Sequence, residues 1–241
     1  MSNNNSTNIY WSPMVGSEEP DWNILYIDPI TLYDKLRPNM ADIHKSNNFF
    51  YCPAFKNLTS NTFLFKNPMK ADFKVNSDNK SITIGENSSP GDIRRIPSID
   101  NSIIISYNLR WIFFAEDENI DIIATSPYFD MPNHLKYASL VPGRFCISNW
   151  FRPVVAEFNL NRGVRELIIE RDEPIISVTF NTDKKINLIR FAMTKDLETT
   201  ASICSRSTDW EKWVPLAARY KRFKEGRLRE KVLKRIKNNV I

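Results

Sequence analysis

Between residues 61 and 190 the chain is written in short β-branched and aromatic runs, each closed by Asn, Asp, Gly, Pro or Ser. That texture predicts strands, at 62–66, 72–75, 81–84, 103–107, 111–115, 120–125, 144–148, 154–160, 166–170, 175–180 and 186–191. No helical run separates them, and parallel neighbours would need a crossover of about a dozen residues or more, so the connections are read as antiparallel. The expected fold class is mainly β: an antiparallel β-sandwich, jelly roll or partly closed barrel. Two runs alternate, Val154, Ala156, Phe158 and Leu160 against Val155, Glu157 and Asn159, then Ile176, Val178 and Phe180 against Ile175, Ser177 and Thr179. One buried face is expected for each.

Helices are expected only outside this block. Asp28 before Pro29 reads as an N-cap followed by proline at the first helical position, with Ile30, Tyr33 and Leu36 on one face until Pro38. Thr194 reads as a cap for a helix carrying Leu197, Ala201 and Cys204, and Thr208 to Glu211 has capping-box spacing. Pro215 and Gly226 then break residues 210–238 into a kinked helix or two pieces. The division that follows is a flexible arm at 1–21, a β-sandwich domain with one short helix at 22–193, and a basic helical extension at 194–241. The longest apolar run, Trp111 to Ala115, is five residues, against about 20 for a membrane span. The start, MSNNNSTNIYW, has neither basic nor apolar character, so the expectation is an unexported, cytoplasmic protein that meets no membrane.

Rare residues narrow the chemistry. Cys52, Cys146 and Cys204 form no CxxC pair, and the two histidines, His44 and His134, stand in no metal-ligand spacing. The six glycines never lie within five residues of one another, so neither a phosphate-cradling loop nor a G-x-S-x-G elbow can be written. No metal, no cofactor and no catalytic residue is assigned on these grounds. The acidic run Glu116-Asp117-Glu118 reads as a solvated turn.

Charge is unevenly placed. Residues 209–241 hold eleven Lys or Arg and four Asp or Glu, a net of +7; the whole chain is +5, which leaves −2 for residues 1–208. A basic helical face of this kind can offset phosphates and release their counterions, or can simply be solvated. Arg219, Arg222, Arg227 and Lys234 are the candidate contacts to nucleic acid or an acidic partner. Trp150 and Arg152 form a candidate secondary surface, since a ring beside a guanidinium suits base stacking; core filling is the alternative for such rings.

The stretch Pro142-Gly143-Arg144-Phe145 through Trp150-Phe151-Arg152-Pro153, followed by residues 154–160 and by Glu170-Arg171-Asp172-Glu173-Pro174 leading into 175–180, is similar to the late strands of the dUTPase and dCTP-deaminase superfamily. The chain also looks like uncharacterised proteins of tailed bacteriophages, and Asn and Ile together make up about a fifth of it, as AT-rich genomes tend to encode. The resemblance covers about 40 residues and implies a β-clip-like barrel. If the enzymatic side of that superfamily carried over, Arg144, Arg152 and Arg171 would be phosphate clamps. Its catalytic Asp has no counterpart between Val141 and Pro153, where the nearest equivalents are Cys146 and Ser148, and its glycine-rich tail is replaced by basic helix. The resemblance therefore implies a non-enzymatic relative that works by binding, as a phage assembly or accessory protein with a protein partner or with itself. A nucleotide-processing enzyme and a self-assembling virion component are the alternatives.

Overall fold

The computed structural model describes residues 6–14, 25–40, 52–86, 91–94, 103–129, 131–210 and 214–241. These form fourteen strands and five α-helices, and the fold is mainly β. The first sheet joins β14 (Lys185–Arg190), β1 (Ser6–Pro13), β7 (Ile104–Ala115), β11 (Pro153–Leu160) and β9 (Ala138–Leu140) in that order, with β6 (Gly91–Arg94) on the first half of β7. The second runs β10 (Gly143–Cys146), β8 (Asp121–Thr125), β13 (Pro174–Phe180), β3 (Thr62–Lys66) and β2 (Ile30–Thr31). The third is β12 (Glu166–Ile169), β4 (Ala71–Val75) and β5 (Ile82–Ile84). Every described pairing is antiparallel except β1 with β14.

That parallel pair overturns the expected arm over residues 6–13; residues 1–5 and 15–21 lie outside the described residues. Residues 6–13 are a strand inside the first sheet, between β14 and β7, with Ile9 and Trp11 buried on one face and Tyr10 on the other. An eight-residue strand preceded by a run of Ser and Asn offers no neighbouring hairpin to reveal it, and its partners come from residues more than 90 positions away.

β7 explains the longest apolar run. Trp111, Phe113 and Ala115 enter the main core, where Phe113 meets Phe65 edge-on at 5.3 Å and Phe180 at 6.1 Å. Ile112 and Phe114 point the opposite way, into a second core closed by the carboxy-terminal helices α3 (Lys195–Trp210), α4 (Leu216–Glu225) and α5 (Leu228–Lys237). A sheet covered on both faces needs apolar residues at every position, so alternation disappears. β11 keeps it, with Val154, Ala156, Phe158 and Leu160 buried and Val155, Glu157 and Asn159 half-buried. β13 does not, because Ile175 and Ser177 are buried as well.

Other boundaries move for local reasons. The expected strands at 103–107 and 111–115 are one, since β11 runs unbroken beside both and absorbs the intervening Asn108 and Leu109 as an irregularity opposite Val155 and Ala156. Asp28 is not a helix cap: Ile30 and Thr31 pair with β3, and α1 (Leu32–Met40) is capped by Thr31, whose Oγ accepts the Asp34 N–H at 3.0 Å. A helix unforeseen in the sequence, α2 (Pro53–Ser60), begins with proline in its first turn. Thr194 does cap α3, but Thr208 lies inside that helix rather than starting another. The last segment is two pieces, α4 and α5, with Arg227 between them in the left-handed region at φ 53°.

Candidate functional site

The basic extension lies over the first sheet, and the side chains of its two last helices divide by direction. Phe223 of α4 and Val232 and Ile236 of α5 are buried under β1 and β7. Burying each such side chain contributes about 1.5–3 kcal/mol, so these helices are part of the fold. Arg229 sits on the same inward side. Its Nε donates to Ser148 O at 3.0 Å and its Nη2 to Glu116 O and, at 3.4 Å, to Ala115 O. One guanidinium thus satisfies carbonyls at the end of β7 and the segment after β10.

The acidic run is equally engaged. The β7–β8 turn, with Asn119 left-handed at φ 64°, presents three carboxylates to three lysines from different elements: Glu116 to Lys237, Asp117 to Lys184 at 2.7 Å, and Glu118 to Lys224 at 2.7 Å. Each lysine's hydrogen bond holds its partner's carboxyl below the ordinary carboxylate range, most directly at Glu116, which also accepts from Asn8 Nδ2 at 2.7 Å. Two of those lysines belong to the basic tail. The turn read as merely solvated is a docking post for the tail. No local spacing could have shown it, because Glu116 and Lys237 are 121 residues apart.

Against this geometry the four candidate contacts separate. Arg219 is only 7 % exposed and donates Nε to Val214 O at 3.2 Å, which withdraws it from any outer surface. Arg222 is exposed on α4. Arg227, Lys231 and Lys234 are exposed; Lys231 and Lys234 share a face of α5 three residues apart, and Arg227 stands at its entry. Arg227, Lys231 and Lys234 have no ion-pair or side-chain hydrogen-bond partner among the described residues, whereas Lys221 pairs with Glu225 and Arg235 with Asp196. Arg227 and Lys234 are among the four candidate contacts expected from the sequence; Lys231, one of the basic residues of the same tail, joins them by position.

The secondary surface is corrected as well. Trp150 packs between Tyr220 and Phe223, with centroids 5.8 and 5.7 Å away, so it holds α4 rather than offering a stacking platform. Arg152 beside it is exposed. The three arginines suggested by the superfamily resemblance do not converge. Arg144 pairs with Asp121 at 2.7 Å and lies level with Ile123, hence with Thr179 of β13. Arg171 precedes Pro174 at the other end of that strand, on the order of 17 Å away at 3.4 Å per residue. Ser148 is buried and committed, its Oγ accepting the Ile120 N–H and donating to Asp117 O, both at 2.8 Å.

Of the remaining reactive residues, Cys52 is exposed, Cys146 half-buried and Cys204 buried, where desolvation raises its thiol to about 11. His134 is buried edge-on to Phe158 with Nδ1 3.3 Å from Glu173 Oε1, and burial lowers its pKa against the opposing pull of that carboxylate. His44 lies outside the described residues. Among the described residues no three His, Cys, Asp or Glu are grouped to hold a metal ion, and no helix is long and apolar enough to cross a membrane. No protein-family model matches the chain, and a search of curated proteins finds no match.

Proposed function

We propose that the protein acts by binding a polyanion, nucleic acid or an acidic protein surface, through the outward face of α5, and that the β scaffold, sandwich-like or β-clip-like, serves to hold that face rigid. The observation that supports this is a group of three cations with no partner among the described residues, Lys231 and Lys234 on α5 and Arg227 just before it, beside a helix whose other basic groups, Arg229, Arg235 and Lys237, are engaged with the rest of the chain. Lys231 and Lys234 lie about 4.5 Å apart along the helix axis at 1.5 Å per residue, with Arg227 at the entry to the helix. An assembly or accessory role in a bacteriophage is the setting in which we place this activity.

The test is binding of a fluorescein-labelled DNA duplex at several salt concentrations. Replacing Arg227, Lys231 and Lys234 together by uncharged residues should weaken binding at least tenfold and flatten the dependence of log K on log salt by about 2 to 3, since each phosphate contact contributes roughly 0.9. Binding that is unchanged in the triple variant defeats the assignment. An acidic protein partner in place of DNA would show as loss of copurification in the same variant.

A further inference from the structure

On the side of the molecule where α1, the α2–β3 junction and the β13–β14 turn meet there is an open cleft of about 560 Å³, inside the range of about 300–1,000 Å³ that small-ligand sites occupy. Most of the residues that line it are polar, although their carbon stems and Ile186 give the wall a substantial apolar share. Some of those groups are already used: Asn61 Nδ2 donates to Thr182 O and to Lys184 O, Lys184 reaches away to Asp117, and Asp34 accepts from Thr31 Oγ1 at 2.6 Å. The Asn61 amide therefore fixes the turn on which Asp183 and Lys185 stand, so the wall is held in place before any ligand arrives.

Four residues that line the cleft carry polar groups with no partner among the described residues: the Tyr33 hydroxyl, the Asn57 amide, the Asp183 carboxylate and the Lys185 ammonium. Their chemistry selects a ligand class. Two carboxylates, Asp34 and Asp183, stand against Lys185 and against Lys184, which is already paired with Asp117, so the wall offers no surplus of positive charge to a phosphate-bearing or carboxylate ligand. An apolar ligand would strip water from four hydrogen-bonding groups without replacing it. A planar carboxylate and a planar amide can each take two bonds from adjacent hydroxyls, and a half-buried tyrosine offers a flat face for the C–H side of a pyranose ring. We propose that this cleft, lined by Tyr33, Asn57, Asp183 and Lys185, binds a neutral saccharide of one or two units. The site is separate from the basic face of α5 and does not depend on it.

Saturation-transfer NMR on the full chain tests this with methyl glucoside, methyl galactoside, N-acetylglucosamine, maltose and lactose, and with AMP as the anionic probe. Transfer to ring C–H protons of at least one sugar is expected, with Tyr33→Ala and Asp183→Asn each weakening it at least fivefold, Tyr33→Phe retaining it and Lys234→Gln leaving it unchanged. No transfer to any of the five sugars overturns the proposal. So does transfer that survives both Tyr33→Ala and Asp183→Asn, or binding of AMP alone.

Discussion

The inward and outward sides of α5 carry the same residue types to opposite ends. Arg229 and Lys237 are absorbed by carbonyls and by Glu116, while Lys231 and Lys234, with Arg227 just ahead of the helix, meet no partner side chain among the described residues. A net charge read from the sequence counts both sides equally. Only the neighbours decide which cations hold the fold and which are left over for a partner.

The sharpest way to break the comparison is to damage the inward side. Ile236→Ala removes a fully buried side chain of the second core and should cost about 2–5 kcal/mol by chemical denaturation. Arg229→Met should follow at about 2 kcal/mol, because hydrogen bonds from a charged donor are lost and buried carbonyls are stranded. If either variant unfolds at the wild-type denaturant midpoint, the carboxy-terminal helices are an appendage rather than part of the fold.

Arg227 tests the boundary between the two sides. It holds φ 53° between α4 and α5, a conformation that costs a residue with a Cβ about 1 kcal/mol relative to glycine. Arg227→Gly should therefore raise the denaturant midpoint by an amount corresponding to about 1 kcal/mol while lowering affinity for a polyanion. A residue kept for the fold would show the reverse, and that outcome would remove Arg227 from the outward set.

Acidification probes the inward ion pair more gently. Lys237 holds the Glu116 carboxyl below its ordinary 4.5, so the pair's contribution is complete above that pH and is lost as pH falls through the depressed value. Glu116 is about a third exposed and Lys237 nearly half, which limits the effect to at most about 1 kcal/mol. Comparing denaturant midpoints at pH 7 and pH 3 should show a smaller loss in Glu116→Gln than in the parent. An equal loss would mean that the lysine contact does not stabilise the fold.

How much of this could be read in advance follows the same division. The strands of the central block were legible because turn residues punctuate them, and β11 kept its alternation because one of its faces is covered more fully than the other. β1 was not legible, since a strand whose partners, β7 and β14, lie far along the chain leaves no local signature. The run Trp111 to Ala115 hid its meaning for a related reason: two-sided burial under the helices erases the period by which a strand is recognised. The basic tail was visible as composition, but the assignment of Arg219 to a surface failed because burial of a guanidinium is set by the tertiary position of α4. Trp150 failed likewise, a ring beside an arginine in sequence that faces Tyr220 and Phe223 in space.

The smallest expected effect on stability carries the most weight for function. Lys231→Gln and Lys234→Gln, singly or together, alter exposed cations with no partner among the described residues, and surface changes of that kind stay within about 0.5 kcal/mol. Their denaturant midpoints should match the parent, in contrast to Arg229→Met on the same helix. Yet the double variant should bind the DNA duplex several-fold more weakly, with the loss shrinking as salt rises because screening already weakens the parent. Two cations that contribute nothing measurable to folding and much to binding are what a docking face requires. A pair of substitutions silent in both measurements would reduce the outward side of α5 to solvated surface.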